Sequence, residues 1–192
     1  MLPSTIGSSC VHQKGFIRPK KIALSLLSMP NEFYFTPASR RHLERHFGDG
    51  ALAGSYFLQS TFETPDDLLL FLQNTSPVSV IKQPPSAIVF TYTLTNGRMA
   101  GTVGIMKKCS LSEKDLVREI REGFTIEVGL VDQLELTADF CVVASETSKG
   151  LSIITAFPGN YARPFAQKGQ PAKEYALNKQ FWAEHVLLRK KS

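Results

Sequence analysis

The sequence predicts an α+β fold: a mostly antiparallel sheet of about five strands, with N-terminal helices and a C-terminal helix. Three observations carry this. Apolar residues alternate with period two over 87–94, 124–130 and 151–157, the pattern of half-buried strands. Two helix starts, Thr36-Pro37 and Thr64-Pro65, precede those stretches. Strand runs follow one another through turn residues instead of alternating strictly with helices, which argues against a parallel doubly wound sheet.

The first helix is expected from Thr36, an N-cap oxygen followed by proline, through Arg40 and Arg41 to Phe47, with Gly48 as its stop. The second follows Thr64, with Asp66 and Asp67 suited to the first turn and Leu68 to Leu72 apolar nearly all round. Pro84-Pro85 breaks the chain before the strand Ala87 to Leu94. Asn96-Gly97 is a turn, from which Gly101 to Met106 is expected to return as the partner strand. A short helix is expected from Ser112 to about Arg121, then a strand at 124–130. Two more strands, Thr137–Ser145 and Leu151–Phe157, flank the turn-like Glu146 to Gly150. The last helix opens near Pro171 and is expected to carry Leu177, Phe181 and Leu188 on one stripe.

With 192 residues the chain can bury a core without staples, and a single domain over 1–192 is expected, its core at 36–188 and residues 1–18 loosely held. Cys10, Cys109 and Cys141 are odd in number and far apart, which disfavours disulfides or a cysteine zinc site and fits a reducing compartment. No apolar run is long enough for a bilayer. The stretch Ile22 to Leu27 after Lys20-Lys21 is too short and too far along for a signal sequence and reads as a small helix or strand. A cytoplasmic location, the producer's or a target cell's, is therefore expected, with no membrane partner.

The net charge of +5 is localised: residues 160–192 hold seven basic side chains against Glu174 and Glu184, while the preceding residues balance. Such a segment permits a phosphate-bearing partner by counterion release, or serves solubility alone. Dinucleotide, triphosphatase, nucleophile-elbow and zincin motifs are all missing, so those classes lose their usual support. No cofactor or metal is invoked.

The densest polar cluster is Arg40 to His46. On a helix His42 and His46 share a face, and Arg41 and Arg45 the next one. An imidazole of near-neutral pKa beside guanidinium groups suits phosphodiester cleavage, taking a proton from a 2′-hydroxyl while the cation holds developing charge. An amphipathic surface helix with Leu43 and Phe47 inward is the structural alternative, and a His-x-x-x-His metal site a third. A second cluster runs from Ile153 to Arg163. Thr155 is expected on the face of Leu151, Ile153 and Phe157, with Tyr161 and Arg163 on the following loop. In the third, Phe181 to His185, Trp182 and His185 can stack on or donate to a base, although a tryptophan on a docking helix is more often core.

Three pieces resemble the barnase/colicin/RelE-like superfamily of bacterial ribonuclease toxins: Arg45-His46-Phe47-Gly48, Leu136 to Phe140, and Ile154 to Gly159. The likeness in order of elements spans residues 36–165 and leaves the C-terminal helix unmatched. It implies N-terminal helices before an antiparallel sheet and metal-free RNA cleavage. His46, Arg45, Thr155 and Tyr161 are the catalytic carry-over, with His42 the competing imidazole. His42, Arg41, Arg163 and His185 are the expected substrate contacts. RNA and a cognate immunity or antitoxin protein are the implied partners. The alternative is a non-catalytic nucleic-acid or protein binding module of a phage or mobile-element system, or an accessory protein with structural histidines.

Overall fold

In the computed structural model, residues 32–47, 55–83, 86–121 and 124–191 are described. The expectations for residues 1–18, for Ile22 to Leu27, for Cys10 and for the breaks at Gly48, Pro84-Pro85 and Gly123 lie outside them.

The fold is α+β. The described elements run β1 Phe33–Phe35, α1 Pro37–Glu44, α2 Pro65–Asn74, β2 Ser79–Gln83, β3 Ala87–Thr93, β4 Gly101–Thr102 and β5 Ile105–Lys107, then β6 Leu116–Arg121 and β7 Phe124–Val131. They continue with β8 Leu136–Thr137, β9 Asp139–Thr147, β10 Gly150–Pro158, α3 Ala172–Glu184 and β11 His185–Lys190.

A five-stranded sheet has the order β1-β10-β9-β3-β2, and a four-stranded sheet the order β5-β11-β7-β6. The first sheet is antiparallel except at its edge, where β1 runs parallel to β10. In the second, β11 runs parallel to β7. A short β4–β8 pair makes a third unit.

Both N-terminal helices start where their caps require. Thr36 Oγ1 accepts the Ser39 N–H at 3.1 Å while Ser39 Oγ accepts the Thr36 N–H at 2.9 Å. Thr64 and Asp67 repeat the reciprocal arrangement. The helices pack on one face of the five-stranded sheet, where Leu43, Leu68 and Leu72 join Phe90, Phe140 and Ile153 in the main core. Phe140 is its hub: the rings of Tyr92, Phe57, Phe62 and Phe71 lie 5.1, 5.9, 5.6 and 5.7 Å from it. Leu70, on the outer side of α2, is exposed, so that helix is half-buried and not buried all round.

Four further expectations are corrected. Asn96 and Gly97 do turn the chain, both with positive φ, but Gly101 to Met106 does not return to β3. Both edges of β3 are already occupied by β2 and β9, so the segment divides: β4 pairs with β8 and β5 with β11. Residues 112–121 form only a single 3-10 turn, Glu113–Asp115, before becoming β6, because an antiparallel ladder to β7 from Leu116↔Gly129 to Arg121↔Phe124 satisfies that backbone. The C-terminal helix ends at Glu184. Leu188 lies on β11, where Val186 and Leu188 are buried with strand period and the backbone pairs on both sides, with β5 and β7. The fourth correction concerns Thr155 and follows from a bulge in β10. Ile153 faces Ala144, but Thr155 faces Val143 and Phe157 faces Cys141. The extra residue, Ile154, inverts the alternation. Thr155 therefore shares its face with Phe157 and not with Leu151 and Ile153.

Candidate functional site

The arginine-histidine cluster sits where α1 ends against β10. The helix tightens as it closes: Arg45 caps it, and the His46 N–H reaches the Leu43 carbonyl at 2.7 Å. His42 and His46 remain neighbours through this tightening, their rings 5.3 Å apart and edge-on.

Each imidazole is held differently. His42 is exposed, and its Nε2 lies 3.2 Å from Thr155 Oγ1. β1 pairs with β10 only as far as Ile153, so Thr155 stands at a stretch of edge that β1 leaves uncovered, within reach of α1. His46 is half-buried, and its Nδ1 lies 3.2 Å from the Ser55 carbonyl. A carbonyl only accepts, so Nδ1 carries the proton and, in the neutral ring, Nε2 keeps the lone pair. Burial holds the His46 pKa below its usual range, with the neighbouring charges of His42 and Arg45 acting in the same direction and the bond to Ser55 opposing them. Desolvation is the larger cause, and the neighbouring cations add to it. Arg41 and Arg45 are exposed beside this pair. Arg40 is instead tied to Asp66 on α2.

The other expected site residues gather elsewhere. Tyr161 and His185 line a cleft of 210 Å³ with Ser55, Asn160 and the rings of Phe157 and Phe181. Tyr161 packs against Val89, Cys141 and Val143, on the sheet face opposite the main core. Burial raises its phenol pKa, and Arg163 partly offsets that. The Arg163 backbone carbonyl accepts the Trp182 indole N–H at 3.0 Å. The structure thus brings together His42, His46 and Thr155 in one corner and Tyr161 and His185 in a cleft. Ser55 connects the two, its carbonyl bonded to His46 and its residue in the cleft wall.

Ser55 was not legible as a site residue, because its contribution to His46 is a main-chain carbonyl and leaves no mark on side-chain patterning. Asn160 follows the Pro158-Gly159 break within the second cluster, and its place in a loop at a strand end was the available sign.

The basic C-terminal segment is partly neutralised. Arg189 pairs with Glu119, and Lys191 bridges Asp115 at 3.1 Å and Asp132 at 3.2 Å. Among the described residues, no three His, Cys, Asp or Glu side chains converge as a metal-binding group, and no helix is long and apolar enough to cross a membrane. Comparison with models of known protein families, with curated proteins and with solved structures gives no match to this chain.

Proposed function

We propose that the chain is a metal-independent endoribonuclease, toxin-like and of the barnase/colicin/RelE-like kind. The observation that carries this reading is the pair of imidazoles 5.3 Å apart in unlike environments. One is half-buried, with a lowered pKa and its Nδ1 proton fixed on a carbonyl; the other is exposed and bonded to a hydroxyl. Environments that separate two titratable groups assign one as base and the other as acid.

In this mechanism His46 Nε2 takes the proton from a ribose 2′-hydroxyl. The 2′-oxygen attacks phosphorus, and His42, as imidazolium, gives a proton to the departing 5′-oxygen while Thr155 orients its ring. The products are a 2′,3′-cyclic phosphate and a free 5′-hydroxyl. Arg41 and Arg45 supply positive charge to the phosphorane-like transition state. An enzyme of this kind endangers the cell that makes it, so an immunity or antitoxin protein belongs to the proposal.

The test is cleavage of a single-stranded RNA by purified protein in EDTA. His46→Ala and His42→Ala should each cost at least about a hundredfold in rate, and a 2′-deoxy substitution at the cut position should abolish cleavage. Tyr161 favours a second reading, because it lines a cleft whose walls include neither histidine of the pair. That reading is the non-catalytic binding module of a phage or mobile-element system, and it stands if RNA binds, is not cut, and loses little affinity on either histidine substitution.

A further inference from the structure

The cleft beside the histidine corner carries groups that cleavage of the RNA backbone does not use. Phe181 and His185 stack face to face, centroids 4.1 Å apart and planes within 3°, and both contribute to its lining. Phe157 and Tyr161, from the end of β10 and the loop beyond, supply further rings. Four aromatic side chains around one small opening form a surface for a flat ring.

The polar groups among them suit the edge of such a ring. His185 Nδ1 donates to the Phe181 carbonyl at 2.9 Å, which leaves Nε2 of the neutral imidazole as an acceptor. Ser55 Oγ is buried and has no hydrogen-bond partner among the described residues. Asn160 brings an amide with both donor and acceptor, and Lys107 adds a cation to the lining. A volume of 210 Å³ is below the roughly 300 Å³ at which pockets for drug-sized ligands begin, and it suits a one- or two-ring system. The cleft also adjoins the histidines, since the Ser55 carbonyl accepts from His46.

We infer that this cleft holds a nucleobase, stacked against the Phe181–His185 pair with its edge read by Asn160, Ser55 and His185; the inference rests on the RNA reading above and gives that site a base-binding pocket. A bare phosphate or sugar phosphate uses Lys107 and leaves the rings idle, so the aromatic walls argue for the base itself as the occupant.

Tryptophan fluorescence can test this, because the chain has one tryptophan and Trp182 meets Phe181 edge-on at 5.3 Å. The full chain and its His46→Ala variant are titrated with adenosine and cytidine monophosphates, ribose 5-phosphate and inorganic phosphate. A saturable change is expected with at least one nucleotide and none with the two ligands that lack a base. Phe181→Ala should weaken nucleotide binding at least about fivefold, the scale of one lost stacking contact, and Phe181→Tyr should restore it. Circular dichroism identifies a Phe181→Ala chain that does not fold, and the ligand comparison then decides alone. An equal response to ribose 5-phosphate, or no response to any nucleotide, overturns the inference. Nucleotide binding retained without RNA cleavage overturns the catalytic reading and leaves the pocket; cleavage without base-dependent binding overturns the pocket and leaves the catalysis.

Discussion

The two larger sheets are stabilised by different means. The five-stranded sheet buries aromatic rings against α1 and α2, with Phe140 touching four of them. The four-stranded sheet has its own buried residues, Ile126, Val128, Val186 and Leu188, but ion pairs cross its strands. Glu127 on β7 takes Lys108 at 2.6 Å and Arg118 on β6 at 3.8 Å, and Glu119 on β6 takes Arg189 on β11. The difference shows, among the described residues, where carboxylates already take up positive charge. In the four-stranded sheet several cations already have carboxylates. At the end of α1, which packs on the sheet with the aromatic core, Arg41 and Arg45 are exposed, beside two histidines and a threonine. A sequence count of basic residues points to the C-terminus, where Arg189 and Lys191 already have carboxylates; the exposed Arg41 and Arg45 at the end of α1 form a second basic group.

Substitution at the hub should separate the sheets most strongly. Phe140→Ala removes a fully buried ring with four aromatic neighbours and should cost about 3–5 kcal/mol. Urea unfolding measures it, and a loss below about 1 kcal/mol would show that the five-stranded sheet does not depend on this core. Glu127→Ala probes the other sheet. Its partners are partly exposed, so the loss should be about 1 kcal/mol or less, and high salt should shrink it. A salt-independent loss would mean that Glu127 acts through packing of its stem. Salt should leave the Phe140→Ala deficit in place, which makes the contrast measurable in one pair of titrations.

Much of the fold was legible wherever local chemistry decides it. Thr36-Pro37 and Thr64-Pro65 set helix starts through caps three residues long, and the β9–β10 hairpin is joined by a two-residue turn. Pairings that depend on which edge is vacant were not legible: β1 beside β10, β5 beside β11, and the change from helix to strand at Glu184-His185. Local propensity carries little information about a partner strand many residues away. The candidate site divides along the same line. The closeness of His42 and His46 follows from their spacing on one turn of chain. The bond from His42 to Thr155 spans 113 residues and depends on the bulge at Ile154, which no period reveals. The grouping of Tyr161 with His185 likewise needs the end of β10 brought to the start of β11.

The smallest expected effect comes from His46, which stands at the aromatic sheet yet responds to pH. Its folded-state pKa lies below the ordinary 6.5, chiefly because burial disfavours the imidazolium. Below pH 6.5 the unfolded chain therefore takes up a proton that the folded chain resists. The contribution of this residue is fully present above the unfolded value and declines as pH falls through the folded one. His46→Gln removes the titrating group while keeping an amide N–H for the Ser55 carbonyl. The wild-type chain should lose stability relative to His46→Gln as pH is lowered from 7.5 to about 5, and urea midpoints across that range measure the difference. Added salt should change this slope little, because desolvation and not an ion pair dominates it. Parallel pH profiles for the two proteins would sink the assignment of His46 as the buried, base-ready imidazole, while a slope confined to the wild type would separate it from the carboxylate-bound cations of the other sheet.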